Sequence, residues 1–485
     1  MSVRKEIISG VKYTSIAQYS NIFINLFIGG VLARILTPAE YGTVALITVF
    51  VTFFGMFSDV GLSVGIVQFK ELSKRQIGSL FNMSILLAIF LAGIFWCCAG
   101  LIAKFYNDPK YVHIGHVLCL SIFIRTCTVI PTGINRREKR FKAIGILSVA
   151  ASIVTGVFGI ILAYKGYSYW SLIYRTMLTS FILFVGSLVI SKIPFCFALD
   201  LKGMSALFKY SSFNFLFNLV NYFSRNLDNL LIGKFLGSAQ IGFYEKAYTL
   251  MMLPLDNLMT VITPVLHPVL SSGSQNNAKN STEVHLKLSK LMAMIGVPVS
   301  IYFYFCRIEI ITIIYGKQWV TAADALKWLS LSIWIQMILS STGSFFLVAG
   351  KTNFQFITGL LSALTMIAAI SAGIYYRSIE TVAFFIMVAF VINLLQGHFL
   401  LYRYVLHIPF KTIFITLKNP VVIGIICFIA MLPLTYLSLT VFVSILVKSI
   451  VLLAGLIAGL MLTKEHKWVL DIFQKMRRSK KTVTV

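Results

Sequence analysis

Residues 136–142 read Arg136-Arg137-Glu138-Lys139-Arg140-Phe141-Lys142, and the next stretch, Ala143 to Tyr164, reads AIGILSVAASIVTGVFGIILAY before Lys165 restores a charge. A basic cluster stops where an uncharged run begins. That run is long enough to cross the hydrocarbon of a bilayer as a helix. A barrel strand would be shorter and would alternate polar with apolar positions, which this run does not. A backbone in hydrocarbon must pair its N–H and C=O groups within itself, so the stretch predicts a transmembrane helix with its basic flank in water.

Read outward from there, the pattern repeats along the chain. Spans are expected at 11–33, 41–67, 77–103, 112–134, 143–164, 168–191, 209–235, 241–270, 289–314, 323–349, 352–376, 379–405, 420–440 and 441–463. The fold class is therefore an all-α polytopic membrane protein of about 14 transmembrane helices. Composition agrees: 58% of the 485 residues are hydrophobic and 12% charged, with a mean hydropathy of +0.87. So little polar surface cannot clothe a soluble globule of this size.

The net charge is +26. With the spans laid out as above, about 28 of the 42 Lys and Arg fall on the N-terminal side of the membrane, which predicts that both termini are cytoplasmic. The cluster at 136–142 and the tail from Lys475 to Lys481 are the strongest anchors. Charge scattered over short loops, with no aromatic-rich soluble module, points to topology and anionic lipid headgroups rather than nucleic acid. The polar stretch Met1–Lys12 lacks the pattern of a cleavable signal, so the first span is expected to be retained. Cys97, Cys98, Cys119, Cys127, Cys196, Cys306 and Cys427 show no spacing for a metal or a disulfide framework and read as small packing residues.

Short loops leave no room for an extramembrane catalytic domain, and the longest cytoplasmic connections are 192–209 and 271–287. No phosphate loop, dinucleotide fingerprint or His/Glu metal motif is present, so neither cofactor nor metal is expected and the protein is not read as an enzyme. Function has to lie inside the bundle.

An internal repeat sharpens this. Lys12-Tyr13-Thr14-Ser15 returns as Lys209-Tyr210-Ser211-Ser212, and Arg34-Ile35-Leu36 with Ala39 and Gly42 returns as Lys234-Phe235-Leu236 with Ala239 and Gly242. Six helices separate the copies, so both enter the membrane in the same direction, as in transporters built from parallel repeats. The expected organisation is a six-helix lobe at 1–191, a linker at 192–208, a second six-helix lobe at 209–405, two further helices within 406–463 and a basic tail at 464–485. The lobes would flank a central cavity.

Charges inside spans mark that cavity, because a charge at mid-bilayer costs about 2.5–3.5 kcal/mol on insertion scales and so faces water or a partner. Arg125, Arg175, Arg225 and Lys246 are the candidate cations; Asp59, Asp228, Glu245 and Asp256 are candidates for ion coupling or internal ion pairs. Arg225 and Asp228 are spaced to meet on one helix face. A lone Arg125 needs an anion and offers a planar fork suited to phosphate. Gln18, Asn21 and Asn25 form one polar stripe, and Asn214, Asn218 and Asn221 form another on the repeat-related helix. Such stripes serve a wet cavity, where amides meet sugar hydroxyls, or bond helix to helix; Asn21, Asn25, Asn218 and Asn221 are taken as cavity candidates. Pro131, Pro254, Pro264, Pro268, Pro298 and Pro433 are the expected bend points. Trp96, Trp170 and Trp319 read as interfacial belt residues.

Three stretches carry a resemblance. Leu32-Ala33-Arg34-Ile35-Leu36-Thr37-Pro38-Ala39-Glu40-Tyr41-Gly42, Phe57-Ser58-Asp59-Val60-Gly61-Leu62, and the segment from Asn226-Leu227-Asp228-Asn229 through Gly233, Gly237 and Gly242-Phe243-Tyr244 to Pro254 resemble bacterial polysaccharide transporters. These are the Wzx-type flippases of the multidrug/oligosaccharidyl-lipid/polysaccharide exporter superfamily. The resemblance implies a flippase that moves a polyprenyl-pyrophosphate-linked oligosaccharide across the bacterial cytoplasmic (inner) membrane by alternating access. The cargo would be an O-antigen, capsule or exopolysaccharide unit, and a glycan polymerase and other assembly proteins would be partners. Asp59 and the Arg34 and Lys234 turns match motifs and are expected to serve the fold; the four cavity cations rest on depth in the spans alone. A drug exporter of the same superfamily is the alternative, set back by the surplus of embedded Arg. A membrane-embedded glycan polymerase would need a sizeable outer loop.

Overall fold

The computed structural model describes residues 3–59, 66, 73–193, 222, 226–272, 278–468, 470 and 471, and among them every regular element is helical. The helices are α1 (Val3–Ile35), α2 (Pro38–Asp59), α3 (Lys74–Tyr106), α4 (Lys110–Arg137), α5 (Phe141–Tyr164), α6 (Trp170–Ser191), α7 (226–236) and α8 (Ser238–Ser272). They continue as α9 (Ala278–Phe305), α10 (Arg307–Ile314), α11 (Ala322–Leu331), α12 (Ile333–Val348), α13 (Thr352–Tyr375), α14 (Ile379–Leu401), α15 (Thr412–Met431) and α16 (Val441–Leu462). Eleven of the described helices are long and apolar enough to cross a membrane, and α11 with α12 forms one more span if the bent pair is counted together. The expected spans at 41–67 and 209–235 lie partly outside the described residues. Phe23 and Phe27, each 71% exposed, typify the apolar outer surface that a bilayer must cover. The chain is a multi-pass integral membrane protein.

The motif Thr37-Pro38-Ala39-Glu40 is a helix start. The Glu40 carboxylate accepts from the Thr37 backbone N–H at 2.6 Å and from its hydroxyl at 2.9 Å, while Pro38 supplies the first helical residue of α2. Ser168 donates to the other Glu40 oxygen, tying the α5–α6 turn to the same point. α3 begins with a full capping box, the Ser73 hydroxyl accepting from the Gln76 N–H at 3.2 Å and the Gln76 side chain accepting from the Ser73 N–H at 2.9 Å. Asn107 ends α3 in the left-handed region, where a short polar side chain is tolerated.

The chain packs as two compact units, the first Met1–Gly242 with Ile314–Gln318, the second Phe243–Ile313 with Trp319–Val485. In the first unit α1 packs on α5, α5 on α6, α6 on α4, and α4 on both α3 and α2. Its two motif turns meet reciprocally. A Cβ on Gly42 would fall 1.7 Å from the Ser238 carbonyl oxygen, and one on Gly242 would fall 2.1 Å from the Pro38 carbonyl oxygen. Ser238 follows Pro38, and Gly242 follows Gly42, by the same offset of 200 residues. The two copies of the turn therefore touch through equivalent atoms, and only glycine permits the approach. Lys234 donates to the Phe105 carbonyl, and Gln318 donates to the Ala33 and Leu36 carbonyls, so both motif turns are held by backbone capture.

In the second unit α9 is the central element, packed against α11, α12, α15 and α16, while α14 covers α11, α12 and α13. The chain bends by 52° between α11 and α12. No proline causes this: Ser332 sits at the break, its hydroxyl donating to the Leu329 carbonyl at 2.7 Å and so closing the last turn of α11. Trp319 corrects a sequence expectation. It is fully buried, edge-on to Phe243, and so belongs to the core instead of an interfacial belt.

Candidate functional site

The candidate site in the first unit grows from a seam of polar side chains between helices that are otherwise apolar. Asn21 of α1 spends its whole amide on α5, donating to Ser148 at 2.9 Å and accepting from Ser152 at 2.7 Å. Thr179 of α6 donates to Thr155 of α5 at 3.0 Å, Ser121 of α4 pairs with Ser180 of α6 at 3.2 Å, and Ser58 of α2 pairs with Thr126 of α4 at 2.6 Å. Asn135 of α4 donates to the Ser187 carbonyl of α6 at 3.0 Å. In lipid, where the hydrophobic effect does not draw helices together, such interhelical hydrogen bonds add about 0.6 kcal/mol each to van der Waals packing.

Asn25 is different. It lies one turn beyond Asn21 on α1, is exposed, and accepts from Arg175 Nη2 of α6 at 2.8 Å. Gly159 of α5 makes room for the Arg175 stem, since a Cβ there would lie 3.1 Å from Arg175 Cδ. The amide aims the guanidinium without neutralising it, because Asn supplies a dipole and no charge.

Arg125 sits midway along α4 on the face that carries buried Leu118 and Ser121, yet its own side chain is exposed. The guanidinium passes over Gly55 of α2, whose absent Cβ would meet Nη2 at 3.8 Å. Arg125 has no ion pair or hydrogen bond among the described residues. A charged fork at mid-helix, exposed and without a counter-ion among the described residues, has the geometry to accept an anion.

Of the other candidates, Asp228 is 3% exposed and its carboxylate accepts from the Asn229 N–H at 2.8 Å. Lys246 of α8 lies 5.7 Å over the Trp319 ring, a cation–π contact within the second unit. Glu245 is half-buried and Asp256 exposed; they are eleven residues apart, three helical turns, and so fall on one face of α8. Arg225, Asn218, Asn221 and the side chain of Asp59 lie outside the described residues. Among the described residues no group of three or more His, Cys, Asp or Glu is placed to hold a metal.

Pattern reading missed one buried charge pair. Lys448 of α16 bonds Glu309 of α10 and donates to the Phe305 carbonyl at 2.8 Å, while Ser444 donates to the same carboxylate at 2.6 Å. Lys448 interrupts an otherwise apolar helix, and its partner lies 139 residues away, beyond any spacing rule.

The comparisons concern the family and the fold. A family model described as polysaccharide biosynthesis protein matches residues 31–324. The chain is 26% identical over 455 residues to the teichuronic acid biosynthesis protein TuaB of Bacillus subtilis, covering 88% of this chain and 89% of that one. It is 21% identical to the lipopolysaccharide biosynthesis protein WzxC of Escherichia coli, covering 87% and 86%. Among solved structures, the lipid II flippase MurJ in an inward closed conformation superposes with a TM-score of 0.73 at 16% identity, over 93% of this chain and 99% of that one. An inward-facing multidrug resistance transporter of the MATE family gives 0.60 at 15% identity, over 79% and 97%. With well over half of its length matched, the chain belongs to the bacterial polysaccharide biosynthesis protein family, the transporter family that its motifs resemble.

Proposed function

We propose that this protein is a flippase that carries a polyprenyl-pyrophosphate-linked oligosaccharide across the bacterial cytoplasmic membrane, with both termini in the cytoplasm. A pyrophosphate bearing sugars cannot enter hydrocarbon alone, since unpaired charge and hydroxyls are costly to bury. The observation that carries the reading is Arg125: an embedded guanidinium with no counter-ion among the described residues, held beside a glycine on the neighbouring helix. Arg175, aimed by Asn25, is the second phosphate ligand of the first lobe and Arg225 a third, with Asn218 and Asn221 meeting sugar hydroxyls; Lys246 is the candidate cation of the second unit. Asn21 supports the site by locking α1 to α5. The names of TuaB and WzxC place those relatives in teichuronic acid and lipopolysaccharide biosynthesis, and MurJ is titled a lipid II flippase, which supports a lipid-linked glycan as the cargo proposed for this chain. Transport, and no bond-making step, is the activity assigned.

The test is mass spectrometry of polyprenyl-linked glycolipids in the native host with and without the gene, combined with a leaflet-accessibility probe. Accumulation of a completed repeat unit on the cytoplasmic leaflet is expected and would identify the cargo. Unchanged glycolipids with an intact surface glycan would overturn the reading in favour of small-molecule export.

A further inference from the structure

A second cluster of titratable groups lies inside the second unit. His285 of α9 and His398 of α14 have ring centroids 5.5 Å apart, and the Tyr402 ring, in a π-helical turn spanning Tyr402–Leu406, lies 5.6 Å from each. His285 and His398 are 0% exposed, and so is Tyr402. Phe345 of α12 closes one side, edge-on to His285 at 4.7 Å.

Hydrogen bonding fixes the chemistry of the cluster. His398 Nδ1 lies 2.9 Å from the Leu394 carbonyl, which can only accept, so Nδ1 carries the proton in the neutral ring and Nε2 is a bare lone pair. Among the described residues that Nε2 has no partner, and neither does His285 Nδ1 nor the Tyr402 hydroxyl. His285 Nε2 has only a long contact to Ser289, at 3.4 Å. Buried polar atoms are nearly always paired, and three orphans on three touching rings are a concentrated exception. Thr342, one turn from Phe345 on α12, adds a fourth orphan atom, its hydroxyl, among the described residues.

The charges of the packed elements do not explain the cluster. Glu283 pairs with Lys287, Lys290 with Glu465, Glu380 with Lys327 and Glu309 with Lys448, while Arg403, His407 and Lys418 are exposed and Tyr404 stacks on Phe354. α12 and α13 carry no charged residue. Imidazole nitrogens take protons or transition metals and not sodium, and no third metal ligand is at hand among the described residues.

We propose that His285, His398 and Tyr402 form a proton-binding site of the second unit. One proton from the aqueous phase adds to the His398 Nε2 lone pair, giving an imidazolium shared with His285 and Tyr402, and it leaves to water when the site reopens. Because the charged ring cannot stay sealed among α9, α12 and α14, protonation favours an opened arrangement of these helices. This gives the flippase reading a coupling ion, and it rests on that reading only for its use, not for the binding itself.

The experiment uses the full-length protein in lipid nanodiscs with 15N-labelled histidine. Solid-state NMR between pH 8 and pH 5 should show two ring signals, assigned by their loss in His285→Gln and His398→Gln, that change protonation together. His398 should be the Nδ1–H form at the alkaline end. Tyr402→Phe, which keeps the ring and removes the orphan hydroxyl, should move that joint transition by about one pH unit. Two neutral rings throughout, or two transitions indifferent to the partner and to Tyr402→Phe, would overturn the site. In cells, His398→Gln should flatten the pH dependence of surface glycan export. A protein that titrates as expected but moves no glycolipid would leave the proton site standing and the flippase reading refuted.

Discussion

Arg125 and Arg175 show what a single side chain means at membrane depth. Both are embedded cations, yet Arg175 is steered by Asn25 at 2.8 Å while Arg125 rests over a glycine. Arg125→Ala should cut glycan export by about 10- to 100-fold, corresponding to about 1.5–3 kcal/mol for one charge-assisted bond. Arg125→Lys should recover only part, since an ammonium keeps the charge and loses the planar fork. The check is a complementation assay with membrane-inserted protein quantified, and normal export by Arg125→Ala would remove this residue from the site. Gly55→Ala should be tolerated, because 3.8 Å is ordinary contact, whereas Gly55→Leu should mimic Arg125→Ala by filling the space the guanidinium uses. At this scale the sequence was informative about residue types and depth. It was silent on commitment: the amides of Asn21 and Asn25 look alike in the stripe, but one is consumed by Ser148 and Ser152 and the other holds an arginine.

Helices are held to one another by few and specific contacts, so single changes at those points should be costly. Lys448→Met leaves Glu309 buried without its cation and should lower stability by about 3–5 kcal/mol, read as a fall in the thermal midpoint of the purified protein. The double variant Lys448→Met with Glu309→Leu should recover most of that loss, because an apolar pair removes the charge burial altogether. A double variant no better than the single one would mean that the pair does more than satisfy itself. Gly42→Ala should destabilise by about 1–3 kcal/mol through overpacking against the Ser238 carbonyl. Gly93→Ala, in open space on α3, serves as the control and should be neutral or slightly stabilising. The spans expected from 41 and 77 begin as helices three residues earlier, at Pro38 and Lys74, where the Thr37–Glu40 and Ser73–Gln76 side chains start them. The bend at Ser332 was not legible in the sequence, since prolines attracted the expectation and a serine closing α11 made the break.

For the whole molecule, the asymmetry of Lys and Arg makes a direct prediction about orientation. In a cysteine-free background, a cysteine at Lys139 should react with an impermeant maleimide only after permeabilisation, whereas cysteines at Lys165 and Arg377 should react in intact cells. The reverse pattern would invert the proposed topology and with it the direction of flipping. The internal repeat also reaches this scale. Its offset of 200 residues was visible in a handful of conserved residue types at the two turns, and the glycine contacts at 42 and 242 give it a geometric meaning.

The amino-acid sequence by itself determined that this is a helical, multi-span membrane protein, because hydropathy and charge are properties of each segment and the bilayer acts on segments one at a time. It also determined the family, through motifs whose residues cap helices and allow close approach. Which embedded groups are paired was decided only by the tertiary structure. Glu309 meets Lys448, His285 meets His398, and Arg125 meets a glycine because helices distant in sequence pack side by side, and in an apolar solvent that packing decides whether a polar group has a partner.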